Sequence, residues 1–406
     1  MKNIIYTLVL IVIAQCSLIT DDCLCQWTPT SYFPESGYAL ASTTGSRVYA
    51  GSYKWGVLFS TDNGANWTRT SLVGPNGNDS VMIDAIAANG NYIYAGENGW
   101  IYGVHVSTDY GVSWTRTLVT EPIISLAVSG STVYAGAYGT GVFRSTNNGL
   151  NWSQTSLSGQ YVNALSISGT NLFAGTTDNG VYITTNSGTN WTKTSLGNQR
   201  VLSLATSGSK VYAGTGNGVF YSSNSGSNWT NIGLGSLFVY SIELNGTNVF
   251  AGTGSGFYKS TNNGTNWVVH NDGFVDNTAL IYSMLVINGF IIAGTEGWGV
   301  YRRPVLEVIG IKNISTEIPD RYKLYQNYPN PFNCTSNLKF EIGNLSDVKI
   351  LVYDLKGRLM QTLVNERLQP GTYETTFDGS EYSSGIYFYR LQTESYTETK
   401  KFILLK

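Results

Sequence analysis

Beyond its first 25 residues the chain is written in short runs of alternating or unbroken apolar residues, each closed by Gly, Asn, Asp, Ser or Thr. A period of two bounded by turn formers predicts β-strands, and no stretch keeps heptad or amphipathic-helix spacing. The runs come in fours. One set is NALSIS (163–168), NLFAG (171–175), GVYIT (180–184) and NWTKTSL (190–196).

These sets repeat. Six segments share one pattern: STDNGANW (60–67), STDYGVSW (107–114), STNNGLNW (145–152), TTNSGTNW (184–191), SSNSGSNW (222–229) and STNNGTNW (260–267). Their tryptophans follow one another by 47, 38, 39, 38 and 38 residues. A second marker precedes each box, from VYAG (48–51) to VFAG (249–252), and occurs a seventh time as IIAG (291–294). Four strands at a period near 40 predict the blades of a β-propeller, since a β-helix coil needs fewer residues per turn. The seventh unit has three runs, 281–287, 290–294 and 299–303, and then lacks a box. Trp27-Thr28-Pro29-Thr30-Ser31 resembles WTRTS (67–71), so the N-terminal strand is expected to complete the last blade. An all-β, seven-bladed propeller of four-stranded blades is the expectation for 26–303, with no exposed ladder left between its ends.

In each box an Asp or Asn oxygen can accept backbone N–H groups of the turn, Gly can turn left-handed, and Trp can pack between sheets. Asn147, Asn186, Asn224 and Asn262 keep the acceptor of Asp62 and Asp109 without the charge. These residues resemble the Asp-box (BNR-type) repeat family of sialidases, sortilin-type receptors, xyloglucan-cleaving glycosidases and photosystem assembly factors. The resemblance implies the fold. It leaves function open, because in that family the boxes sit at the rim, away from ligand faces.

Composition fits this picture: 46 Gly, 28 Tyr and only 12% charged residues, against roughly 25% in an average protein. A net charge of −2 offers no basic face, so nucleic acid is not an expected partner. Residues 1–25 read as a secretory signal peptide, with Lys2, an apolar run from Ile4 to Ile19, and Asp21-Asp22. Cleavage before Gln26 or near Cys16 would fit. No other segment is long and apolar enough to span a bilayer, so the mature chain is expected to have no transmembrane segment. Removal of the leader leaves Cys334 as the one remaining cysteine, and His105 and His270 are too few for zinc. No cofactor and no metal are expected.

After a linker at 304–320 the composition changes: Trp vanishes and charge rises. Short runs within 321–406 predict a small Greek-key, Ig-like β-sandwich. Leu324, Gln326-Asn327-Tyr328-Pro329-Asn330-Pro331-Phe332-Asn333, Asp354, Gly357-Arg358, Gly371, Gly385-Ile386-Tyr387 and Lys400-Lys401 resemble the type IX secretion C-terminal sorting domain. Cys334 stands where that family usually has proline. The resemblance implies the type IX machinery as partner and export through the periplasm to the extracellular space or outer cell surface. It also implies later removal of the domain, with the cargo either released or attached.

Seven tryptophans (27, 67, 114, 152, 191, 229, 267) are repeat positions with a packing role. Trp55, Trp100 and Trp298 fall instead in loops between second and third strands, in units one, two and seven, which are neighbours in a closed ring. Tyr53, Tyr102 and Tyr138 extend the group, whereas the matching loops GTGNG (214–218) and GTGSG (252–256) are bare. Clustered rings edged with polar groups suit a sugar ring or a peptide side chain. They could equally plug the channel mouth or pack on 74–80. Lys54 and Arg200 alone do not make a sialidase arginine cluster. A glycosidase needs two carboxylates; Glu97 and Glu296 flank the aromatic loops, and Asp79, Asp178, Asp272 and Asp276 lie in other loops of that face. His105 aligns with Phe143 and Tyr182 and reads as a packed residue. The expectation is a secreted or cell-surface binding propeller for carbohydrate or protein, anchored by Trp55, Trp100, Trp298, Tyr53 and Tyr138. The alternative is a secreted glycoside hydrolase using Glu97 and Glu296.

Overall fold

The computed structural model describes residues 26–31, 36–43, 45–72, 81–99, 102–117, 121–275, 278–380 and 382–406. The leader assigned to 1–25 and the residues Asp79, Trp100 and Asp276 lie outside them. The chain divides into two compact units, Met1–Arg303 and Pro304–Lys406.

Among the described residues the first unit holds seven four-stranded antiparallel sheets, here numbered in chain order. Their innermost strands are Gly37–Ser42, Ile83–Asn89, Ile123–Ser129, Val162–Ser168, Val201–Ser207, Val239–Asn245 and Ile281–Ile287, and these touch in cyclic order, the first against the last. Second strands such as Val48–Ser52 and Asn248–Thr253 are buried along their whole length, which is why the sequence there is continuously small or apolar. The core is a set of wedges between neighbouring sheets. In one, Tyr134, Val142 and Leu157 of sheet three face Val162, Leu172 and Ala174 of sheet four, with Trp191 against them.

The glycine of the Ala-Gly marker explains the spacing between sheets. A Cβ on Gly51 would lie 2.6 Å from the Ile83 carbonyl oxygen of the next sheet, so only glycine admits this approach. Inter-sheet bonds cross at the same level: the Ser125, Ser203 and Ser283 hydroxyls donate to the carbonyls of Val162, Val239 and Gly37.

The seventh sheet is completed by Thr28–Pro29, which pairs antiparallel with Gly299–Pro304 through Thr28↔Arg302 and Pro29↔Tyr301. Trp27 is 1% exposed. Its ring stacks on Phe274 at 4.9 Å, and its indole N–H donates to the His270 carbonyl at 2.8 Å.

All six repeat turns share one hydrogen-bond scheme. In the first, the Ser60 hydroxyl donates to Asp62 Oδ1 at 2.7 Å and accepts the Gly64 N–H at 2.9 Å. Asp62 Oδ1 also accepts the N–H groups of Ala65 and Asn66. Asn147 and Asn186 occupy the same place and bond in the same way. The residue before each turn glycine is also left-handed, for example Asn63 at φ 57°. The opening Ser or Thr hydroxyl therefore ties the turn from inside, a role the sequence pattern alone had not assigned.

In the second unit two four-stranded antiparallel sheets face each other, with Phe377 of one against Phe402 of the other at 5.1 Å. Residues 304–320 are not simply a linker. Val305–Val308 is a short helix, and Ile311–Ser315 is an edge strand paired with Gly371–Asp378. Cys334 is exposed with φ 66°, a value a proline ring excludes, so a proline there needs a different local backbone.

Candidate functional site

Strand alternation separates the two ends of the ring. The repeat turns share one end with the turns between first and second strands, as the Asn63 N–H to Ser46 carbonyl bond illustrates. At the other end, each loop between second and third strands is tied to the start of an innermost strand. Tyr53 N–H to Ser36, Asn98 to Met82, Tyr138 to Pro122, Thr177 to Tyr161, Gly216 to Arg200, Gly254 to Phe238 and Glu296 to Leu280 are the seven matching bonds.

Just inside that end every innermost strand carries a β-bulge. Pairing skips one residue, as between Ile83↔Glu97 and Ala85↔Gly96. The skipped residues are Tyr38, Asp84, Ile124, Asn163, Leu202, Tyr240 and Tyr282. A bulge frees its extra residue from the ladder and re-aims the side chain. With Met82, these seven line a cavity of about 350 Å³ at the axis. Below it the channel is lined by Leu40, Ile86, Leu126, Leu204 and Met284, with Ser125, Ser203, Ser241 and Ser283 between them.

One side of this mouth is aromatic. Tyr38 meets Tyr282 edge-on at 4.9 Å and Tyr53 at 6.0 Å, and Tyr282 meets Tyr240 at 5.5 Å. Phe238 stacks on Tyr240, and the Arg200 guanidinium lies 5.9 Å from the Phe238 ring. Two carboxylates join the rings. Glu296 is exposed and accepts the Tyr282 hydroxyl at 3.2 Å. Asp84 Oδ2 accepts the Asn98 amide at 2.7 Å, while Oδ1 is buried without a partner. Burial raises the Asp84 carboxyl above its ordinary range, and the Asn98 bond only partly offsets this.

The residues singled out from sequence land in different surroundings. Trp298 and Tyr53 are each 49% exposed and Tyr138 is 57% exposed, edge-on to Tyr161. Trp55 is half-buried, packed on the cluster of Val48, Leu58 and Trp67. Glu97, expected to flank the aromatic loops, is 1% exposed and lies 2.7 Å from His105 Nε2. It ends a strand buried from Ile93 onward, and so it faces the sheet interior rather than the face. His105 is itself buried. Asp178 and Asp272 are exposed. Sequence reasoning missed Asp84, Tyr38, Tyr240 and Tyr282. The signal available was that this position, next to a Val or Ile in six of the seven units, is the one that changes chemistry from unit to unit.

No group of three or more His, Cys, Asp or Glu among the described residues could hold a metal ion. No helix among them is long and apolar enough to cross a membrane.

No curated protein matches this chain in sequence. Among solved structures it is similar to YCF48 bound to D1 peptide, with a TM-score of 0.55 and 15% identity over 69% of this chain and 96% of that one. It is also similar to the WD40 β-propeller domain of Doa1, at TM-score 0.52 and 14% identity, covering 68% of this chain and 94% of that one. The GH74 enzyme of Niastella koreensis is similar at TM-score 0.50 and 19% identity, over 67% of this chain and 43% of the enzyme. Identities this low speak for the fold alone: an all-β protein with a propeller-like arrangement of sheets. Residues 326–405 match the family described as the secretion system C-terminal sorting domain, and that domain marks the chain for export by the type IX machinery to the cell surface or extracellular space.

Proposed function

We propose that residues 26–303 form a seven-bladed propeller of the Asp-box type, carried out of the cell by an Ig-like sorting domain at 321–406 and preceded by a signal peptide at 1–25. In this reading the propeller binds an extracellular carbohydrate or protein at the end that carries the bulges, with Trp298, Tyr53 and Tyr138 as solvent-facing anchors. Trp100, the third tryptophan expected from the sequence, lies outside the described residues, and Trp55 backs the loop that presents Tyr53. The supporting observation is the collection of exposed rings at the end of the ring that opens into a cavity of about 350 Å³, on loops tied to the sheets.

Hydrolysis is the weaker reading. It assigned Glu97 and Glu296 as the carboxylate pair, and enclosure of Glu97 against His105 takes one of them out of reach of a substrate. The test is glycan-array and peptide-capture binding with the full chain and with a Trp298→Ala/Tyr53→Ala/Tyr138→Ala variant. Binding should fall at least about tenfold, the scale of losing aromatic anchors. Undiminished binding by the variant would remove the anchor assignment, and release of sugar from a polysaccharide by the wild type would restore the hydrolase.

A further inference from the structure

We propose that the axial mouth is a cation-recognition site, in which Tyr38, Tyr240 and Tyr282 surround, and Asp84 and Glu296 neutralise, a protonated amine such as a lysine side chain. This rests on the reading of that end of the ring as the ligand face, and it names the chemistry of the group that enters deepest.

Three observations carry it. The first is shape: the cavity of about 350 Å³ is lined by three tyrosines at edge-on angles to one another, so several ring faces and edges border one space. Aromatic rings arranged around a void attract ammonium and guanidinium groups through the negative faces of their π-systems. The second is charge. The lining residues Tyr38, Met82, Asp84, Ile124, Asn163, Leu202, Tyr240 and Tyr282 include a carboxylate and no lysine or arginine. Glu296 adds a second acid through its bond to the Tyr282 hydroxyl. The third is an unmet hydrogen-bond requirement. Asp84 Oδ1 is buried with no donor, a costly state for a carboxylate and one that an incoming N–H would satisfy once the carboxyl turns toward the mouth that Asp84 lines. Asn163 is not available for that purpose, because its amide already donates to the Val201 carbonyl and to Thr177.

The fold itself makes the complementary contact once. At the outer end of the aromatic run, the Arg200 guanidinium already lies against Phe238, which stacks on Tyr240. The inner end, beside Asp84, has rings and acid but no cation of its own among the described residues. A sugar hydroxyl can fill the same acceptor, but only a cation also offsets the carboxylate charge.

The full chain is titrated with n-butylammonium and with 1-butanol, its uncharged counterpart of the same length, by calorimetry or ligand-observed NMR. The cation should bind at least about tenfold more tightly than the alcohol. Asp84→Asn should cost roughly tenfold and Tyr240→Ala roughly fivefold, the range of one charge pair and one ring face. Urea midpoints establish that each variant is folded, and the comparison of the two ligands on wild type stands without any variant. N-acetyl-lysine methylamide against its norleucine analogue separates sources: tighter binding than butylammonium indicates a protein partner, and equal or weaker binding indicates a small amine. Alcohol binding as well as cation overturns the inference. So does absence of both while glycan or peptide capture through Trp298 persists, which leaves the broader reading intact. Loss of that capture as well would bring down both.

Discussion

Replacing Glu243 by glutamine removes one proton equilibrium from the ring while keeping the shape of the side chain. Glu243 lies on the innermost strand Val239–Asn245, paired with Phe250, and burial alone lifts its carboxyl from 4.5 to about 8. In the unfolded chain it ionises near 4.5; in the folded ring it holds its proton until about pH 8. Below 4.5 both states carry the proton and its contribution to stability is complete. Between the two values the folded state binds a proton that the unfolded state has lost, so stability falls as pH rises. Above 8 the loss is complete. At about 1.4 kcal/mol per pH unit the interval is worth roughly 5 kcal/mol as a ceiling. Protein crowds the carboxyl on all sides, yet the side chain keeps some accessible surface, so water and relaxation reduce the expected figure to about 2 kcal/mol. Phe250 pairs in turn with Lys259, whose ammonium is brought down to about 8 by burial and then by Arg303. Because Lys259 titrates in both proteins, it largely cancels in the difference. All ten tryptophans lie before residue 304, so urea unfolding followed by tryptophan emission reads the ring and not the sorting domain. Glu243→Gln and wild type should be nearly equal at pH 5, and the variant should be more stable by about 2 kcal/mol at pH 9. A difference that stays flat over that range, or that favours wild type at pH 9, would refute the reasoning.

Trp27→Ala should destabilise the ring by roughly 3–5 kcal/mol, since it empties a slot between Phe257, Phe274 and the His270 carbonyl; a urea-midpoint change worth less than about 1 kcal/mol would show that the seam does not depend on it. The carboxyls of Asp62 and Asp109 should titrate near pH 2 by carbon NMR. At Asp62 desolvation pushes upward and is outweighed by bonds from Asn66, Ser60 and Ala65; at Asp109 the Ser113 hydroxyl leads. Their folded values are depressed, so what they add is present above 3.8 and lost as pH falls through about 2, and midpoints near 3.8 would contradict the hydrogen-bond scheme of the turns.

The ring was legible because its signals are local and repeated. A tryptophan every 38 or 39 residues after a first gap of 47, an Ala-Gly marker in each unit and an orphan WTPTS at the start describe sheets and their closure without tertiary knowledge. The site was less so. Asp84 and Tyr240 owe their place to a bulge, and a bulge is a mismatch between two strands that neither strand reveals alone. Glu97 misled for a related reason. It is the last residue of a largely buried strand, so its charge suggested a loop while its position pointed inward to His105. Ile311–Ser315 looked like linker because an edge strand with exposed Lys312 and Asn313 carries little apolar pattern.

The strand Thr28–Pro29 has a consequence for the order of events. Its partner, Arg302, is emitted by the ribosome 274 residues later. Every other sheet can assemble from neighbours in sequence, but the last one must wait for the far end of the chain, with Trp27 lacking its slot against Phe257 and Phe274 meanwhile. Closing the circle therefore requires both ends of residues 27–303 to be on the same side of any membrane the chain crosses.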